Sequence, residues 1–219
     1  YHPTVDRWTE RNNRIRLRTL FGAWFFSGDL DIVHNFATGI GISWEVPGFI
    51  AIHFELGNSP LARLEVKPVA SANPLSSRHA DGYVTNGYLS LAIFNPELSN
   101  LDVAFWTGVG AGFWFFDFNE SNVQGGSIAS DVEFSETVPA GKLFIEVDYK
   151  VSPIIHVGFG FATHFLYAEF TDDGRFYNVN GVQGGLGTGG ALTQDGRNDG
   201  FVGHIAVVWD LHLTISLVF

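Results

Sequence analysis

The 219-residue chain contains no cysteine and no methionine, and charged residues make up only 16% of it. Without cysteine, disulfides, iron–sulfur clusters and thiolate zinc sites are excluded. Without methionine the chain cannot begin at its own initiator, so Tyr1 is expected to be either a processed end or the edge of an excised piece, and a removed secretory leader fits both. Twelve lysines and arginines stand against 23 acidic residues, for a net charge of −11. No basic cluster is present, which disfavours a nucleic-acid partner because neutralising phosphates needs grouped cations. Long apolar runs are missing too. A membrane-crossing helix needs about 20 consecutive apolar residues, and the uncharged stretch 151–168 is interrupted by Pro153, His156, His164 and alternating glycines.

What is abundant is glycine, with 26 residues, and phenylalanine, with 21, while mean hydropathy is only +0.13. So many aromatics and so few charges exclude a disordered chain. The apolar residues are spread by alternation. Between Phe201 and Phe219 every odd position except Gly203 is large and apolar, and the even positions run from Val202 to Asp210, His212, Thr214 and Ser216. Period-two alternation of this length is a β signal well beyond the usual strand of about 5 to 6 residues. One apolar and one polar face suit a wall between lipid and lumen.

The same pattern predicts strands over Arg14–Phe26, Asp31–Glu45, Phe49–Leu56, Tyr83–Phe94, Asp102–Phe118, Lys142–Val151 and Ile154–Phe170, giving eight in all. Connections alternate: residues 45–48, 95–100 and 152–153 are tight, whereas 57–82, 119–141 and 171–200 are long, and 27–30 is a short link on the long side. The segment Leu61–Val69 either extends the third strand or forms a loop hairpin. The expected fold is all-β, an antiparallel up-and-down transmembrane β-barrel of eight strands. It is a single domain over 1–219, with 1–13 a polar N-terminal extension and both termini at the short-turn end. A soluble lipocalin-like barrel is the alternative, but it would carry its charges outside.

The terminal Phe219 with Leu217, the Val109-Gly110-Ala111-Gly112 run leading to Phe115-Phe116-Asp117, and the hairpin after Val147-Asp148-Tyr149 resemble small bacterial outer-membrane barrels of OmpW-like and OmpA-like type. Thr214 stands where the terminal signal of such barrels usually has glycine. The resemblance covers the C-terminal half, from Leu101 to Phe219. It implies the bacterial outer membrane as location, its lipid and lipopolysaccharide as surroundings, and passage or binding of small hydrophobic molecules as function. Oligomeric state stays open.

Two sets of residues are candidates for the lumen. Arg14, Arg16 and Arg18 share the inner face of the first strand, and a polar network with Glu146, Asp148, Asp210 and His212 is expected to pair them, since buried charges need partners. At the long-loop end, Trp24, Phe26, Trp114, Phe116, Leu166 and Phe170 share the inward parity and are candidates for an apolar ligand site, which the resemblance to OmpW-like barrels also implies. Residues 113–116 are aromatic on both faces, so periodicity leaves an outer aromatic girdle equally open. The main alternative function is a structural or adhesive barrel whose loops contact partners.

An enzyme is not expected. His204, Asp210, His212 and Ser216 share a face, but no serine is paired with a histidine in a nucleophile motif. Lipid A modification is therefore a distant third reading. No cofactor or metal is expected: Gly185–Gly190 matches a dinucleotide pattern outside any βαβ unit, and the acidic residues between Asp172 and Asp199 lack the spacing of a calcium loop.

Overall fold

The computed structural model describes residues 13–27, 32–33, 35–46, 49–100, 102–120, 132–170 and 202–219, apart from 67–77. Eight strands run in chain order: β1 (Arg14–Phe26), β2 (Asn35–Val46), β3 (Ile50–Val66), β4 (Arg78–Phe94), β5 (Val103–Glu120), β6 (Val132–Lys150), β7 (Ile155–Phe170) and β8 (Val202–Val218). Each pairs antiparallel with its neighbours and β8 returns to β1, closing the barrel. Below the level of Ala140 and Leu166 closure leaves no β6 or β7 edge for the lipid, where an unpaired backbone group would cost several kcal/mol.

Alternation decides which side chains meet lipid. On β8, Ile205, Trp209, Leu211, Leu213, Ile215 and Leu217 are exposed, while Ala206, Val208, Asp210, His212, Thr214 and Ser216 are buried. Every other strand repeats this, so the outer wall is a continuous apolar surface far larger than a water-soluble monomer tolerates. Trp44, Phe49, Tyr149 and Phe219 ring the tight-turn end, and Phe25, Phe36, Tyr83 and Tyr167 the opposite end, the aromatic girdles of a membrane barrel. The lipocalin-like alternative, with charges outside, is thereby excluded.

The strands extend further toward the loops than alternation predicts. β3 continues to Val66 and β4 begins at Arg78, so most of the long loop expected over 57–82 is a hairpin; β5 and β6 likewise reach Glu120 and Val132. About 9 to 11 residues suffice to span the bilayer, so these extensions project beyond it. The exposed ion pair Arg63–Asp81, at 3.0 Å, lies on this projecting part. Alternation was lost there because the register slips between Ser59 and Ala62. Pro60, which lacks a donor, lies in that bulge.

Ladders do not reach equally high. β5 pairs with β6 from Val103↔Tyr149 to Glu120↔Val132, but β6 pairs with β7 only up to Ala140↔Leu166. Above that level β7 continues with β8 alone, to Phe170↔Val202. Pro139 stands where pairing stops. Lys150 donates to Asp102 on the β5 side and Val151 to Ile155 on the β7 side, so alternate residues of β6 address opposite neighbours. Counting back through an unshifted register, the donor that Pro139 lacks is one that would face β7.

Candidate functional site

The lumen is built from even-numbered residues of β1, β4, β5, β6, β7 and β8 and odd-numbered residues of β2 and lower β3. At the tight-turn end, Arg16 and Arg18 are almost fully buried. Arg16 contacts Asp148 and lies 2.7 Å from Glu45; Arg18 contacts Glu146, lies 3.2 Å from Glu55 and reaches His53 Nδ1 at 2.6 Å. Lys142 contacts the other oxygen of Glu55. Arg18 thus ties β1 to β3 and β6 across the lumen. Such pairing offsets desolvation that would otherwise cost several kcal/mol per ion. Arg14, half-buried, sits opposite Glu45 in the β1–β2 register.

Asp210 and His212 face the lumen but do not join the arginines, which corrects the expected network. The β1–β8 register places Asp210 opposite Trp24 and His212 opposite Gly22, whereas Arg16 and Arg18 face Val218 and Ser216. The stagger of a closed barrel raises Asp210 well above the charged base. There it lies 3.2 Å from His212 Nδ1 and 3.7 Å from His164 Nε2. Gly160 makes room: a Cβ on it would stand 2.2 Å from His212 Nε2. Glu45, Glu55, His53, Lys142 and His164 were missed as partners because parity assigns a face to each residue and says nothing of height.

Nor is the base polar all round. Ala51, Ala92, Phe94, Ala104, Trp106, Phe144 and Ala162, contributed by β3 to β7, form an apolar cluster within it. Lys142 bridges the polar and apolar parts, with Nζ 5.0 Å from the ring centre of Phe144 and 5.6 Å from that of Tyr88, cation–π distances.

Toward the loops the lumen becomes apolar. Trp24, Phe26, Trp114, Phe116, Phe118 and Leu166 are buried in one cluster with Val84, Tyr88, Val138, Ala206 and Val208. Trp114 and Phe116 have no exposure, so these aromatics point inward rather than forming the outer girdle. Trp24 and Trp114 have ring centres 4.6 Å apart, Phe26 lies edge-on to Trp114 at 6.0 Å, and Trp114 stacks on Phe116 at 6.1 Å. The indole N–H of Trp114 donates to Tyr88 Oη at 2.6 Å, so the ring is oriented as well as buried. Phe170 lies in β7, but its side chain is outside the described residues, as are the side chain of His204 and all of 171–201, including the Asp172–Asp199 acidic residues and Gly185–Gly190.

Between the charged base and the aromatic cluster lies a cavity of about 30 Å³, with Trp24, Asn86, Tyr88, Lys142, His164 and Asp210 among its walls. The highest paired residues of the β6–β7 ladder, Ala140 and Leu166, both pack in the aromatic cluster. The apolar compartment therefore adjoins the place where the wall is no longer laced by hydrogen bonds. Among the described residues no group of acidic and histidine side chains is arranged to hold a metal ion.

No protein-family model and no curated protein matches the sequence. Solved structures do resemble the fold. A major outer membrane protein from Thermus thermophilus superposes with a TM-score of 0.60 at 14% identity, over 95% of this chain and 100% of that one. Neisserial surface protein A gives 0.49 at 11% identity over 94% and 96%. The outer membrane protein AlkL, in DMPC bilayers, gives 0.49 at 15% over 94% and 90%. At these identities the likeness is one of architecture, and the chain has the fold of the small eight-stranded outer-membrane β-barrels.

Proposed function

We propose that this outer-membrane barrel takes small apolar molecules into its loop-side lumen and releases them sideways into the membrane, with no water-filled axial channel. The observation that supports this most is the division of the lumen. Trp24, Phe26, Trp114, Phe116 and Leu166 make an apolar compartment above a base closed by paired charges. The base holds aromatics too, in Phe94, Trp106 and Phe144, but they pack beside its ion pairs, whereas the loop-side cluster around Trp114 consists of apolar residues and Tyr88; apolar surface with a few polar groups is what ligand sites are made of. Straight passage would drag an apolar molecule through the ion pairs of Arg16 and Arg18. The seam opens above Ala140 and Leu166, beside Tyr167 of the outer girdle, so a lateral exit there reaches the headgroup edge of the bilayer without breaking a ladder hydrogen bond. The reading is of a non-enzymatic conduit, with lipopolysaccharide and lipid as its surroundings.

The test is transfer of an apolar fluorophore, N-phenyl-1-naphthylamine, into vesicles carrying the protein. Faster transfer than into protein-free vesicles is expected, together with quenching of Trp114 by the dye. Cysteines placed at Ala140 and Leu166, the last residues that the β6–β7 register pairs, are expected to slow transfer to the protein-free rate when oxidised, with the reduced form as the control. Transfer unaffected by both the protein and the cross-link refutes the reading.

A second reading has one observation in its favour. The β3–β4 hairpin, which projects beyond the bilayer, carries the exposed Arg63–Asp81 pair outside the membrane. That hairpin suits a barrel that meets partners through its loops, and a barrel that fails the transfer assay but retains a loop-dependent partner would support it.

A further inference from the structure

The cavity between base and cluster has walls of two kinds. On one side stand Leu20, Trp24 and Ala37; on the other, Asn86, Tyr88, Lys142, His164, Asp210 and His212. Trp24, Ala37 and Tyr88 belong also to the apolar compartment, so the cavity is its polar floor. Gly22, Gly39 and Gly57 contribute wall without side chains. Its volume of about 30 Å³ admits a hydroxyl-sized group or a few waters.

The polar walls are incompletely engaged. His164 is 1% exposed, and neither ring nitrogen makes a hydrogen bond. Its Nε2 stands 3.7 Å from Asp210 Oδ2, beyond hydrogen-bond length and within reach of an atom bridging the two. Tyr88 Oη accepts from Trp114, which leaves its own proton to donate. Buried polar groups are normally satisfied, and leaving one unpaired costs about 1 to 3 kcal/mol. Donors and acceptors thus converge on one small space beneath an aromatic roof.

We infer that this cavity is a recognition site for the hydroxyl group of a neutral apolar alcohol, whose hydrocarbon body lies against Trp24 and Trp114. The inference rests on the proposed function and adds the substrate class. A hydroxyl both donates and accepts, so it serves Asp210 or an imidazole nitrogen as acceptor and Tyr88 or an imidazole N–H as donor. A carboxylate fits poorly, because Lys142 and Arg18 are already engaged by Glu55 and the carboxylate of Asp210 stands in the same wall without a lysine or arginine partner in the salt bridges of the described residues. A plain hydrocarbon leaves the polar floor unsatisfied. Sites built to hydrogen-bond a hydroxyl discriminate strongly against the analogue that lacks it.

The experiment titrates the full chain in lipid nanodiscs with 1-hexanol, hexane and sodium hexanoate. It follows the imidazole nitrogen-15 signals of His164 and His212 and the indole N–H of Trp114. Hexanol is expected to shift all three saturably, with at least about tenfold higher affinity than hexane or hexanoate. His164→Gln and His164→Ala, each checked for the folded band of an unheated barrel on gels, are expected to lose most of the preference for hexanol over hexane. Hexane binding as tightly as hexanol, with Trp114 shifted and the imidazoles silent, overturns the alcohol site and leaves the apolar compartment standing. If no ligand shifts Trp114, the conduit itself is refuted, and the inference with it.

Discussion

Replacing Arg18 by methionine removes the central cation of the base. Arg16, Arg18 and Lys142 are the buried cations there, against Glu45, Glu55, Glu146 and Asp148, so the variant leaves four carboxylates facing two cations. Glu55 retains Lys142 as a partner, but Glu146 loses the guanidinium it contacts. Breaking a buried pair from one side costs about 3 to 5 kcal/mol, because the charge left behind is neither solvated nor paired. That amounts to roughly a hundredfold or more in the folded population. The double variant Arg18→Met with Glu146→Leu removes both halves and is expected to lie within about 1 kcal/mol of the parent, or above it, since apolar replacements of buried pairs are often neutral or stabilising. Urea unfolding of the barrel in vesicles, followed by tryptophan fluorescence, gives both midpoints. The coupling between the two substitutions should then exceed about 2 kcal/mol, far above the few tenths seen for independent sites. If the double variant is as unstable as the sum of the singles, Arg18 and Glu146 are not partners and the base is not held by these pairs.

Asp210→Ala is expected to disturb the arginines little, because its carboxylate faces His164 and His212; a urea midpoint shifted as far as that of Arg18→Met would contradict this. Trp114→Ala, at a position with no exposure, should cost about 3 to 5 kcal/mol and abolish most dye quenching. Brominated lipid should quench the parent and this variant to nearly the same extent, and a large drop would put the ring on the lipid side. Gly112→Ala puts a Cβ 1.9 Å from the carbonyl oxygen of Gly87 on β4, where only backbone can yield; a strongly reduced yield of heat-modifiable barrel is expected, whereas Gly141→Ala, with open space around it, should fold as the parent does.

Strand number, order and facing were legible because a single period-two rule acts on each strand separately. Ile205 through Leu217 face lipid and Ala206 through Ser216 face the lumen for the same local reason. Height was not legible. Whether Asp210 meets Arg18 or Trp24 depends on the offset between β1 and β8, which closure of all eight strands sets jointly. The orientation of Trp114 was ambiguous for a different reason: Phe113, Phe115 and Phe116 beside it fill both faces with aromatics, so hydropathy carries no phase. The extension of β3 was legible only as one of two readings of Leu61–Val69, and that of β4 was hidden, because the register slips at Pro60 and water tolerates polar residues on either face once the strand has left the bilayer.

The stacking of the two compartments has an electrostatic consequence for what can cross. An ion entering from the loops would first lose its water among Trp114, Phe116 and Phe118, buried in an apolar cluster. It would then have to part Arg16 from Asp148 or Arg18 from Glu146. Each step opposes it, the first by desolvation and the second by breaking pairs that are themselves desolvated. An uncharged apolar molecule meets the reverse: entry among the aromatics is favourable by roughly 25 cal/mol for each Å² it removes from water, and only the base opposes it. The base does not lie on every way out. Pro139 ends the β6–β7 ladder at the level of the aromatic cluster, so the lipid is nearer to Leu166 than the far end of the barrel is. For the proposed conduit, the arrangement would separate solutes by charge before any specific contact is made and would favour the wall over the axis as the way out.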